Sequence, residues 1–212
     1  MKKIVALVIA IVLAATAVAC SQDGNEVSKV YDSFALSTQI PVEYADGSFM
    51  VNVDNPKEIV GWGDYVFVAR VDAELRTEYS NVRENENGTI AGKPYTVYSI
   101  VVIDNLKGNL KLDEPIEFFK HGGVNYDGSS ISLLEGDRLL ETGKYYVLIA
   151  AAETDGRLGQ GMPNSSIELN SNAIEELSSS ETYHNYIDYV NHEVEFSRER
   201  FTSIYEDTQN ET

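Results

Sequence analysis

The chain has 212 residues, of which 34 are Asp or Glu and 16 are Lys or Arg, giving a net charge of -18 at pH 7. Such acidity excludes nucleic acid as a partner, because affinity for phosphates rests on Lys and Arg; it marks a well-solvated surface and, secondarily, a preference for basic partners or divalent cations. A single cysteine excludes a disulfide framework, so the fold must stand on its own buried core.

Lys2 and Lys3 precede a run of small or apolar residues from Ile4 to Ala19 that ends at Cys20. A basic start, an apolar core and small residues before the cut are the pattern of a signal peptide over 1–19. Ala17, Val18 and Ala19 before Cys20 form a lipobox-like site, and they also satisfy the A-x-A pattern of ordinary secretion. The reading adopted is lipidation of Cys20, a palmitate-bearing anchor holding a lipoprotein at the extracytoplasmic face of a cell membrane; the alternative is a secreted form with a free amino-terminal thiol. Cleavage leaves 193 residues (212 minus 19), and loss of the two lysines takes the charge to about -20. No other apolar stretch approaches the roughly 20 residues that span a bilayer. Residues 20–50 are read as a polar tether and extension.

Asn55-Pro56-Lys57-Glu58 combines a capping residue, a proline at the first helical position and an early acid, so a short helix is predicted to start there and end near Gly61 to Gly63. Trp62 is read as a core plug. Tyr65, Phe67, Ala69, Val71 and Ala73 then alternate with Val66, Val68, Arg70, Asp72 and Glu74, the pattern of a strand buried on both faces at first and on one face later. An acidic, Asn-rich segment around Arg83 to Gly92 is read as an interruption. Further strands follow at Tyr95 to Asp104, Ile116 to Lys120 and Tyr145 to Ala152, with Ser166 to Leu169 closing the sheet. Gly and Asn turns without intervening long helices argue for a mainly β (α+β) protein, an antiparallel barrel or sandwich over 51–170. Tyr183, Ile187, Val190, Val194, Phe201 and Ile204 recur at helical spacing, which predicts a long amphipathic helix within 171–207 packed on the sheet, followed by a tail at 208–212.

Asp64-Tyr65-Val66-Phe67-Val68-Ala69-Arg70-Val71, the strand from Tyr98 into Leu106-Lys107-Gly108, His121-Gly122-Gly123 and Gly143-Lys144-Tyr145-Tyr146-Val147-Leu148 resemble a poorly characterised group of lipoproteins of Gram-positive bacteria. More distantly, the run over 55–152 is similar to the OB-like barrel of netrin and tissue-inhibitor-of-metalloproteinase domains. The resemblance implies an OB-like β-barrel between a short amino-terminal helix and the carboxy-terminal helix. It does not extend to inhibition, since those inhibitors rely on a disulfide-held amino-terminal cysteine and this chain has one cysteine in all.

No catalytic, cofactor or metal motif emerges. There is no G-x-S-x-G and no H-E-x-x-H; Gly156, Gly159 and Gly161 lack a P-loop pattern. His184 and His192 lie eight apart on a predicted helix, too far along the axis to share a metal, and Asp188 with His192 is read as a side-chain pair. Glu84 to Gly88 and Asn125 to Gly128 are oxygen-rich without the spacing of a calcium loop. The candidate ligand-binding residues are His121 at a strand end and Tyr79, Tyr126 and Asp127 in segments read as loops, 76–94 and 121–130. The expected role is a non-enzymatic binding module for an exported protein, peptide or envelope glycan. The alternatives are an envelope-acting hydrolase using carboxylates or a metal, and an inhibitor or immunity-type factor against a protease or toxin.

Overall fold

A computed structural model of the chain describes residues 40–160, 162–170, 174–177 and 179–208. The signal peptide, Cys20, most of the 20–50 extension and residues 209–212 of the tail lie outside the described residues. The described part is mainly β. In chain order the elements are β1 (Val42–Ala45), α1 (Pro56–Trp62), β2 (Tyr65–Glu84), β3 (Ile90–Lys107), β4 (Pro115–His121), β5 (Gly123–Val124), β6 (Ile131–Leu134), β7 (Tyr145–Ala152), β8 (Leu158–Gln160), β9 (Ser166–Leu169), a helical turn α2 (Ile174–Leu177) and α3 (Glu181–Asn191).

β2, β3, β4, β8 and β7 pair in that order, and β7 pairs back on β2, so the five strands form a ring. A ring with an odd number of strands has to contain a parallel neighbour pair, and here it is β4 with β8. This corrects the expectation of a wholly antiparallel sheet. The closing strand is also different: β8, three residues long, completes the ring, while Ser166 to Leu169 flanks β7 from outside it. One edge of β7 serves both, giving Tyr145 to Leu148 to β9 and Ala151 and Ala152 to β8. A second sheet joins β1, β6 and β5, with β1 parallel to β6, so the 20–50 segment is not tether throughout.

The apolar alternation of β2 explains its place in the wall. Tyr65, Phe67, Ala69 and Val71 point inward to Tyr98, Ile100, Val102, Phe118, Leu148 and Leu158, with Phe67 and Phe118 edge to face at 6.3 Å. Val66 and Val68 point outward beneath α1 and α3, where they join Ile59, Val60, Val147, Ile149 and Tyr186. β2 does not stop near Glu74. It runs on to Glu84 and returns as β3, with register shifts at several points along the pair, such as Val71/Ala73 and Glu74/Arg76; such irregularities bend and twist a ladder. The acidic segment read as an interruption is therefore the tip of one long hairpin, and Tyr79 is a strand residue.

α1 begins as predicted: the Asn55 side chain accepts from Lys57 N–H at 3.2 Å and Pro56 opens the helix. The carboxy-terminal helix does not run to Glu206. Ser180 caps α3, which ends at Asn191, and the remaining chain crosses α1 as an extended strap. Tertiary bonds outcompete helical ones here. Val194 N–H donates to Lys57 O at 3.1 Å, and a Cβ on Gly61 would lie 1.8 Å from Val194 O, so the crossing requires that glycine. Arg198 donates to Trp62 O and Asp64, and Arg200 to Gly61 O, Gly63 O and Asp64, placing two guanidiniums on the carbonyl end of α1, where cations are favoured. Trp62 is no core plug; it is half-buried between Phe196 and Arg198. Further on, Ser203 N–H donates to the Tyr65 hydroxyl, which donates to Glu206, and the strap is fixed across the end of the ring.

Candidate functional site

The strand register decides which side chains share the outward face of the hairpin. Arg76 faces Val97, Val97 faces Phe119 and Phe119 faces Gly159, while Glu78 faces Tyr95. Phe118 points into the ring, so Phe119 must point out. A Cβ at position 159 would sit 2.1 Å from the Phe119 ring, so glycine is required beneath it. The five-residue β7–β8 turn, Glu153 to Arg157, closes over the same face, held by Glu153 N–H to Arg157 O at 2.8 Å and Gly156 N–H to Glu153 O at 2.9 Å.

These elements enclose a groove of about 300 Å³ lined by Tyr79, Tyr95 and Phe119 with Glu78, Glu153 and Arg157 among its polar residues. The Arg157 guanidinium lies 5.3 Å from the Phe119 ring centre, a cation–π distance. It donates to Glu78 and Asp155, each at 2.9 Å. Glu78 is shared with Arg76, and Arg76 makes a bidentate pair with Glu117 at 2.8 Å on each arm. The result is a chain of alternating charges, Glu117, Arg76, Glu78, Arg157 and Asp155, of which the last three line the groove. Its hydrogen bonds hold the carboxyl of Glu117 below its ordinary range, chiefly through Arg76.

Aromatic contacts link the groove to the residues singled out in the sequence. Tyr95 stands edge to face with Phe119 at 5.9 Å and with His121 at 5.0 Å. Tyr79 packs against Tyr126 at 5.0 Å and its hydroxyl donates to Val124 O at 3.0 Å, so segments 76–94 and 121–130 meet. His121 ends β4. Burial, and secondarily Lys93, pushes its imidazole below the usual histidine range, and its buried Nδ1 has no hydrogen-bond partner among the described residues. Burial also pushes the Tyr79 phenol up. Tyr126 is 46% exposed beside the groove. Asp127 is exposed and is not brought to the groove lining: its Oδ1 accepts from the Ser129 hydroxyl at 2.7 Å and backbone N–H at 2.9 Å, which holds its carboxyl below the ordinary range and closes a turn.

Sequence reasoning missed Tyr95, Phe119, Glu78, Glu153 and Arg157 as site residues. The usable signal was Phe118-Phe119, since successive strand residues face opposite sides and only one of two phenylalanines can enter the core. Asp188 and His192 form the side-chain pair expected of them, at 3.0 Å. Among the described residues no three His, Cys, Asp or Glu side chains converge as metal ligands. No protein-family model matches the sequence, and no curated protein is significantly similar to it.

Proposed function

We propose that this chain is a lipid-anchored, extracytoplasmic binding module, non-enzymatic, whose OB-like barrel presents the Phe119 groove to an exported protein, peptide or envelope polymer. The observation that carries the reading is the half-buried aromatic face itself. Tyr79, Tyr95 and Phe119 line a concave surface outside the ring, bracketed by a pre-formed arginine and carboxylate network, an arrangement that core packing does not require. The OB-like reading is supported by the ring, whose five strands, counted along the chain, run 1-2-3-5-4 and back to 1. OB barrels bind ligands across strands 2 and 3 between the loops joining strands 1–2 and 4–5. The groove occupies the corresponding place, between the second half of the β2–β3 hairpin and the β7–β8 turn. The distant similarity to netrin-type domains is part of the same proposal. Anchorage through Cys20 rests on the amino-terminal sequence.

The test is crosslinking and affinity purification from intact cells with the native chain, a Cys20→Ala form and a Tyr95→Ser/Phe119→Ser form. The expected result is a partner set retained by the native chain and lost from the groove variant. An unchanged partner set with the folded double variant refutes the groove as the ligand face.

A further inference from the structure

We propose that the groove takes a cationic side chain, the ammonium or guanidinium of a basic exported peptide, seated beside Tyr95 with Glu153 as its counter-ion. This rests on the reading of the groove as the ligand face and narrows it to one ligand chemistry.

The charges that line the groove are Glu78, Glu153 and Asp155 against Arg157. Arg157 spends its guanidinium on Glu78 and Asp155, which leaves Glu153, an exposed carboxylate with no hydrogen-bond or ion-pair partner among the described residues. The protein itself shows how a cation sits on this surface: Arg157 lies over the Phe119 ring with carboxylates on two sides. Tyr95, half-buried and 5.9 Å from Phe119, is the next aromatic ring along the groove and also lines it. An electron-rich ring and an unpaired carboxylate that line one groove both attract an ammonium or guanidinium, and partial removal from water strengthens both attractions. The neighbouring His121 adds no competing positive charge, because burial disfavours its protonated form. The net charge of the chain, -18, acts in the same sense over longer range: it steers basic partners in and repels anionic envelope polymers.

The test uses the full chain and four probes: pentalysine, pentaarginine, pentaglutamine and the neutral saccharide chitotetraose, each titrated by calorimetry at low and high salt. The proposal expects the two cationic peptides to bind and pentaglutamine not to. Glu153→Gln and Tyr95→Ala each weaken the cationic probes by about 3- to 5-fold, the size of a partly exposed cation–π or ion-pair contact. Tyr95→Phe keeps the binding, which assigns it to the ring and not the hydroxyl, and an unfolding transition kept in Tyr95→Ala separates loss of the ring from loss of the fold. Glu43→Gln, on β1 in the other sheet, removes the same charge elsewhere and leaves affinity within about 2-fold. Equal weakening by Glu43→Gln and Glu153→Gln means diffuse attraction to an acidic protein and overturns the proposal. Binding of chitotetraose that is lost in Tyr95→Ala, with cationic peptides indifferent to the groove variants, overturns it while leaving the groove as the ligand face. If no probe responds to the groove variants and Tyr95→Ala keeps every cellular partner, the inference and the broader reading fall together.

Discussion

Neighbouring residues of β4 sit in two electrostatic surroundings. Lys120 points into the ring, 0% exposed, and donates to both oxygens of Asp137 at 2.7 Å, with Ser166 as a further partner at 3.3 Å. One residue earlier, Phe119 points outward among Arg76, Glu117, Glu78 and Arg157, whose side chains are roughly two-fifths exposed. Both regions are ion pairs of good geometry. The difference teaches that geometry does not set the value of a pair; desolvation does. Inside, the two charges hold each other because neither has water to return to. Outside, the network adds little to stability, and what it fixes is the position of Arg157 over the groove.

The largest expected effect follows from breaking the inner pair. Asp137→Ala removes the counter-charge of Lys120 in the interior, where burial already lowers its ammonium below the usual range, so the side chain must either stay ionised unpaired or give up its proton, and the change should cost about 3–5 kcal/mol in urea denaturation. Lys120→Met combined with Asp137→Leu should recover most of that loss, since an apolar pair needs no counter-charge. A single variant as stable as the parent would mean that the two surroundings do not differ.

Next in size is a contrast in packing between the two outer sides of the wall. Ile149 lies under α1 and α3, and Ile149→Ala should cost about 2–5 kcal/mol. Phe119→Ala, on the half-buried outer side, should cost about 1–2 kcal/mol, less than Ile149→Ala although it removes a larger side chain. Comparable losses would mean that Phe119 is a core residue and the groove a packing defect.

Much of this was legible in the sequence, for reasons that also explain the misses. The alternation from Tyr65 to Ala73 gave a strand buried on both faces, and Asn55-Pro56 gave the start of α1, because both signals are local and repeat a backbone period. β8 was invisible: Leu158-Gly159-Gln160 is too short to show a period, and its glycine exists to admit Phe119 from another strand. Spacing alone carries the helix too far because Val194, Phe201 and Ile204 match the helical period, while the residues that stop it lie in α1, more than 130 positions away from Arg198 and Arg200. Of the candidate site, composition and turn context point to Tyr79, Tyr126 and His121. They do not reach Tyr95, Phe119 and Arg157, because what joins these is strand register, and register is set by pairing partners that a single segment does not reveal.

A smaller effect concerns how α3 is held. Tyr183 donates to Asp104 at 2.6 Å, and that bond, with burial second, raises its phenol to about 12. A raised phenol contributes stability that is complete below the ordinary value of 10 and is lost as pH rises towards about 12. Tyr183→Phe should cost about 1 kcal/mol at neutral pH and flatten the decline in stability between those values, read from melting temperature against pH.

The smallest expected effect separates the two ion-pair regions most sharply. Arg76 keeps Glu117 ionised below its ordinary value of 4.5. A depressed carboxyl contributes stability that is present above that value and lost as pH falls through the lowered one. Because the pair is partly exposed, its contribution should be a few tenths of a kcal/mol and should vanish in Arg76→Gln. It should also fade in 1 M salt, where screening acts over about 3 Å, whereas the cost of Asp137→Ala should barely change. If salt erased both, the interior of the ring would be open to water and the inner pair would be a surface pair as well. If it erased neither, the outer network would be stabilising the wall, and Arg157 would be held over Phe119 for the sake of the fold and not for a ligand.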